Sequence, residues 1–152
     1  MVHILVAMER EAEALGIPCE IIGTGATDIP ETAEDDIIVN VGYCGGKDIP
    51  VGLIVEPVES ISGETGEVIN LDHHFDCQPV TCVTSPEFVT EALLSTPAVY
   101  DMELAKLVSV PCARLYVLKI VSDNLDMKAC ESYKKPDAWA EVRRLLGEEG
   151  LI

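Results

Sequence analysis

Three carboxylates in the second half of the chain stand where chemistry is easiest to do. Residues 98–100, Ala98-Val99-Tyr100, deliver Asp101 and Glu103 into a helix-like stretch, and residues 113–121 form an apolar run that closes on Ser122-Asp123-Asn124. Runs rich in β-branched and aromatic residues that stop at polar ones are strand patterns. In open α/β sheets ligands gather outside the carboxyl ends of strands, and a strand, acid, helix, strand, acid order can bring two such ends to one crevice. A carboxylic acid there can protonate a leaving group, and carboxylates beside it can stabilise positive charge. The same residues also read as caps, with Asp101 starting a helix over 102–109 and Asp123 opening a turn.

The elements that must position these acids follow from hydrophobic pattern. Residues 2–7 read as a buried strand and 8–15 as a helix ended by Gly16, with Met8, Ala12 and Leu15 on one face and Glu11 beside that stripe. Residues 19–22 predict a second strand running into the turn Gly23-Thr24-Gly25-Ala26, which has neither the dinucleotide spacing nor the lysine of a phosphate loop. Residues 37–41 form the clearest buried strand and lead into a second glycine cluster, Gly42-Tyr43-Cys44-Gly45-Gly46, read as a turn at the strand end. Strands are expected over 51–58, 67–71 and 79–84, with a hairpin-like excursion over 60–66. A helix is expected over 86–94 with proline in its first turn, and another over 137–146, whose Trp139, Val142, Leu145 and Leu146 suit docking on a sheet. Phe88 reads either as a core contact or as a face on which a planar base can lie.

Bulk properties narrow the function classes. A chain of 152 residues with 48% apolar content can build the core of one domain, here residues 1–152. A net charge of −17 disfavours nucleic acid and anionic membrane and suits a small neutral or cationic ligand. No apolar run nears the ~20 residues of a membrane span, and the opening residues lack a signal-peptide pattern, so a cytoplasmic protein is expected. The six cysteines, at 19, 44, 77, 82, 112 and 130, include no Cys-x-x-Cys pair and are expected as reduced thiols. Asp72-His73-His74-Phe75-Asp76-Cys77 contains metal-ligand residue types, but adjacent histidines point to opposite sides of an extended chain. Neither metal nor cofactor is expected, and the segment reads instead as a loop near the substrate or a neighbouring subunit.

With these pieces in order, the sequence resembles the nucleoside phosphorylase and nucleosidase superfamily, most closely the methylthioadenosine/S-adenosylhomocysteine nucleosidases. Four segments carry the resemblance: Ile4-Leu5-Val6-Ala7-Met8-Glu9-Arg10-Glu11, Ile38 through Gly46, Val99-Tyr100-Asp101-Met102-Glu103-Leu104-Ala105, and Leu118-Lys119-Ile120-Val121-Ser122-Asp123. It implies an α/β fold of three layers, with a central mixed, mainly parallel β-sheet flanked by helices, and a homodimer. It further implies that Asp123, with Ser122 beside it, protonates a departing purine and that Glu11 orients or deprotonates the attacking water. Glu103 and Met102 would hold the ribose, and Phe88, Val89, Gly45 and Tyr43 would lie at the substrate. On this view Asp123 is kept protonated by burial while Glu11 and Glu103 stay ionised.

Three departures from the family pattern bear on function. The chain is shorter than usual, chiefly between Cys19 and Ile37; Tyr43 and Cys44 replace small residues; and Lys119 stands where arginine is usual. The resemblance therefore implies hydrolysis of a purine nucleoside or thionucleoside first, phosphorolysis second and non-catalytic nucleoside binding third. Phosphorolysis would call on Arg10 and Lys47, the cations near the glycine turns.

Overall fold

The computed structural model describes residues 1–133 and 135–152. The opening run forms β1 (Val2–Val6) and, after one turn of chain, α1 (Glu9–Leu15), which stops at Gly16 in the left-handed conformation, φ 69°. The expected second strand is reduced to β2 (Glu20–Ile21). The run at 37–41 continues as an eleven-residue strand, β3 (Ile37–Lys47). Then come β4 (Ile54–Ser62), β5 (Val68–Asn70), β6 (Gln78–Thr84), β7 (Ala98–Asp101), α2 (Leu104–Leu107) and β8 (Arg114–Asp123). The chain ends in α3 (Met127–Ser132) and α4 (Pro136–Glu148).

All eight strands belong to one mixed sheet, mostly parallel, in the order β2-β1-β3-β7-β6-β4-β5, with β8 paired to both β3 and β4. The pairings β3–β7, β7–β6, β6–β4, β4–β8 and β8–β3 close five strands into a ring. On one face α1 and α4 cover a core containing Leu15, Val39, Val41, Leu118, Trp139, Val142 and Leu145. On another, α2 buries Leu104 and Leu107 against Val99, Val117 and Val121 and against Leu5 and Ile38. The docking helix expected over 137–146 is thus α4, and its four named apolar residues are all buried.

Several sequence expectations are corrected. The glycine cluster at 42–46 is strand and not a turn, and its glycines serve close approach: a Cβ on Gly42 would stand 2.8 Å from the Glu11 carboxylate, and one on Gly46 2.9 Å from Val121. The strand expected over 51–58 begins three residues later, after a turn containing Gly52 at φ 93°, and extends through Ser62. The helix expected over 102–109 shortens to α2, with Asp101 as the last strand residue. Its carboxylate nevertheless accepts the Leu104 N–H at 2.9 Å, a cap from outside the helix.

The helix expected over 86–94 does not form. Phe88, Val89 and Thr90 are weak helix formers. The Leu93 and Leu94 amides donate to the Tyr100 hydroxyl, each at 3.0 Å, and not to the preceding turn of a helix. Val89, Ala92 and Leu94 instead pack on Val83, Ala98 and Tyr100, and the segment crosses the sheet end as irregular chain.

The histidine segment is held by a buried carboxylate. Glu56, 1% exposed, accepts N–H groups from His74 and Phe75, the shortest contact being 2.8 Å, and stands 2.7 Å from His73 Nδ1. The His74 ring lies 4.3 Å from that of Tyr116, and Phe75 is in the core. None of the three lines the cavity described below, although the segment is read from sequence as facing either a ligand or a neighbouring subunit. A buried carboxylate needs donors, and this loop supplies them. No cluster of three or more His, Cys, Asp or Glu among the described residues is arranged to hold a metal ion, and no helix among them is long and apolar enough to cross a membrane. All six cysteines are free thiols.

Candidate active site

Register brings the acids together. Gly45 is opposite Tyr100 on one side and Asp123 on the other, with a bulge between Cys44 and Gly45, and Thr84 is opposite Asp101. The carboxyl ends of β7 and β8 therefore meet beside the carboxyl-terminal part of β3, and α1 brings Glu11 to the same place. A cavity of about 490 Å³ opens there, lined by Met8, Glu11, Tyr43, Gly45, Phe88, Met102, Glu103 and Asp123 among others. That volume is in the range of small-molecule sites.

Each acid is fixed by different partners. Asp123 is 1% exposed; its Oδ1 accepts the Leu125 and Asp126 amides at 2.8 and 3.1 Å, and its Oδ2 accepts the Ser122 hydroxyl at 2.8 Å. Ser122 does not line the cavity, so its place is behind the acid. Glu11 is 2% exposed and accepts N–H groups from Ala7, Met8 and Tyr43 at 3.0, 2.9 and 2.7 Å. As the third residue of α1 it reaches back to the helix entrance, so one side chain caps the helix and faces the cavity. Glu103 accepts the Gly25 amide at 2.8 Å, while Lys106 donates to the Gly25 carbonyl at 2.6 Å. The turn at 23–26 is thereby clamped against the site, and Thr24 joins its wall.

The other expected residues divide. Phe88, Met102, Gly45 and Tyr43 line the cavity; Val89 lies behind it, at a void of about 20 Å³ shared with Phe88, Met102 and Leu125. Tyr43 turns its hydroxyl away, accepting the Trp139 indole N–H at 2.9 Å, and its ring carries the Arg10 guanidinium 4.7 Å from its centre. Arg10 also donates to the Cys130 carbonyl at 3.1 Å. Among the described residues Arg10 is the one cation lining the cavity; Lys47 lies outside it, 3.5 Å from Asp48.

Sequence reasoning did not place Lys119 in the site, yet it organises the charges. Completely buried, its Nζ stands 3.2 Å from Asp101 Oδ2 but forms no aligned hydrogen bond, an ion pair made by proximity. Asp101 is held in turn by the Thr84 hydroxyl at 2.6 Å. Burial alone would weaken the lysine's hold on its proton, but Asp101, Glu103 and Glu11 outweigh it and keep the ammonium form. Met127 and Cys130 were also missed, because α3 is polar and presents no apolar stripe. Asp126 was its one sequence signal, a cap that accepts the Ala129 amide at 3.0 Å.

Burial works against the ionised forms expected of the two glutamates. Burial raises Glu11 above the usual carboxylate range despite its N–H donors and Lys119, and it pushes Glu103 up to about 7, aided by Asp101. A carboxyl whose pKa is raised by folding takes its proton preferentially in the native state. Its cost to stability therefore grows as pH rises from about 4.5 to about 7 and is full above that. Glu103→Gln, which keeps an acceptor for Gly25, is expected to raise stability at pH 8 by about 1–3 kcal/mol and to change little at pH 4. Urea unfolding at the two pH values checks this; equal effects at both would remove the assignment.

Fold and site together define an α/β protein with a central mixed, mostly parallel sheet and a pocket at the meeting strand ends. Solved structures similar to this chain are MTAN from Chlamydia trachomatis, in a variant bound to MTA (TM-score 0.75, 14% identity, covering 99% of this chain and 98% of that one), and two proteins of Helicobacter pylori. These are 5′-methylthioadenosine/S-adenosyl homocysteine nucleosidase in complex with a substituted pyrrolidinol (TM-score 0.68, 15% identity, 97% of both chains) and futalosine hydrolase (TM-score 0.68, 16% identity, 97% of both chains). By sequence, no family model and no curated protein matches the chain.

Proposed function

We propose that this protein hydrolyses the N-glycosidic bond of a purine nucleoside or thionucleoside, of the methylthioadenosine or S-adenosylhomocysteine type. The observation that carries this most is the convergence of Asp123, Glu103 and Glu11 on one cavity that also presents Phe88 and the backbone of Gly45. In the reaction the bond from the anomeric carbon to the base nitrogen breaks, its electron pair leaving with the base. Asp123 supplies the proton that neutralises the base, Glu103 holds the ribose hydroxyls beside Met102, and Glu11 takes a proton from the water that bonds to the anomeric carbon. A raised proton affinity suits Glu11 to that last task.

Hydrolysis is favoured over phosphorolysis by the charges of the pocket. Glu11, Glu87, Asp101, Glu103, Asp123 and Glu131 line it against Arg10, the one cation there among the described residues, which is already engaged by Tyr43 and Cys130. A phosphate dianion would meet repulsion there without an arginine fork to receive it. We likewise propose a homodimer, the state that the sequence resemblance implies, and sedimentation reads it directly.

Release of free base from a panel of purine nucleosides that includes methylthioadenosine, followed with and without phosphate, tests the proposal. Cleavage in phosphate-free buffer is expected. Strict dependence on phosphate would replace hydrolysis by phosphorolysis, and no cleavage by the folded protein would leave a binding protein.

A further inference from the structure

The turn that follows Asp123 contains a residue in an unusual conformation. Leu125 has φ 67°, in the left-handed region that glycine enters freely and a branched side chain rarely does. That conformation turns two consecutive amides, Leu125 and Asp126, onto Asp123 Oδ1, at 2.8 and 3.1 Å. Glycine would make the turn without strain, so the leucine side chain needs an explanation. It reaches across the acid: a Cβ on Gly45 would stand 2.8 Å from Leu125 Cδ2 and 3.0 Å from Asp123 Oδ1. Beyond Gly45 it joins the apolar cluster of Val83, Ala98 and Tyr100, against which Val89, Ala92 and Leu94 also pack.

We propose that Leu125 is a positioning residue for Asp123, its side chain anchored in that cluster so that the strained turn keeps both amides on one carboxylate oxygen. The void of about 20 Å³ beside Leu125 is bounded by Phe88, Val89 and Met102. The anchor therefore also ties the acid to the irregular segment at 86–97, which carries Phe88 to the cavity. A turn with glycine in place of Leu125 would be free of strain but free to leave, and the carboxyl would lose its fixed orientation. The catalytic part of this inference rests on the proposed nucleosidase activity; the structural part does not.

Leu125→Gly, Leu125→Met and wild type are compared in two measurements. In base release, Leu125→Gly is expected to lower kcat by about tenfold or more with KM within about twofold, since misplacing a reacting group slows chemistry without removing ligand contacts. It should also displace the alkaline side of the pH–rate profile, the limb that a general acid governs. Leu125→Met, which can still fill the cluster, should stay within about threefold of wild type. Hydrogen exchange at the Asp126 amide is read in the same proteins without any substrate, and it is expected to accelerate about tenfold or more in Leu125→Gly and little in Leu125→Met. If the wild type cleaves nucleosides, a kcat and pH profile unchanged in Leu125→Gly overturn the inference. If the wild type cleaves none, the nucleosidase proposal falls, and exchange at Asp126 alone decides: faster exchange supports the anchor and unchanged exchange overturns it.

Discussion

Asp123→Asn is expected to lower the rate of base release by about 10²–10⁴-fold, the range a positioned general acid contributes. The substitution keeps the shape of the side chain and an oxygen for the Leu125 and Asp126 amides, which approach Oδ1 at 2.8 and 3.1 Å. It removes the proton that the departing base must receive. Because the turn and Ser122 still have a partner, the melting temperature is expected to move by only a few degrees. Nucleoside binding, measured by calorimetry on the inactive variant, should remain within about tenfold of wild type, since a group acting in the transition state contributes less in the ground state. A variant that releases base at the wild-type rate would remove Asp123 from the mechanism, whatever the substrate.

The second large effect is on stability. Lys119→Met keeps an unbranched chain but removes the buried charge that compensates three carboxylates: Asp101 at 3.2 Å, with Glu103 and Glu11 also acting on it. Breaking a buried ion pair from one side costs about 3–5 kcal/mol, because the partner stays desolvated and unpaired. That loss is expected at pH 7. Without Lys119 the glutamates bind protons still more readily in the folded chain, so the loss shrinks as pH is lowered toward 5, where protonation takes the place of the missing cation. Lys119→Arg, which keeps the charge, should recover most of the stability if the larger head can be seated. Urea unfolding of the three proteins at pH 5 and 7 measures this; Lys119→Met as stable as wild type at pH 7 would show the carboxylates to be neutral without the lysine.

Parts of this arrangement are legible locally. Met8-Glu9-Arg10-Glu11 after an apolar run states the entry to α1 and sets Glu11 beside its apolar stripe, near the end of β1, before its three amide partners are known. The spacing of Trp139, Val142, Leu145 and Leu146 likewise states the buried face of α4. Other parts are not local. The segment at 86–94 has proline in the right place for a helix, but the Tyr100 hydroxyl takes its Leu93 and Leu94 amides and Val83 and Ala98 take its side chains. Gly42, Gly45 and Gly46 look like turn residues until the groups that crowd them, Glu11, Asp123 with Leu125, and Val121, are brought up from distant parts of the chain.

Sequence alone determined the residue types at the strand ends, the helix faces and the acidic balance, because these depend on periods of two and 3.6 residues and on composition. Tertiary structure decided which acids meet, which cation lies beneath them and how firmly the two glutamates hold their protons. The reason is physical. Register between strands far apart in the chain sets the distances, and burial sets the local dielectric, so neither Lys119's ion pair nor the raised affinity of Glu103 exists until the sheet has closed.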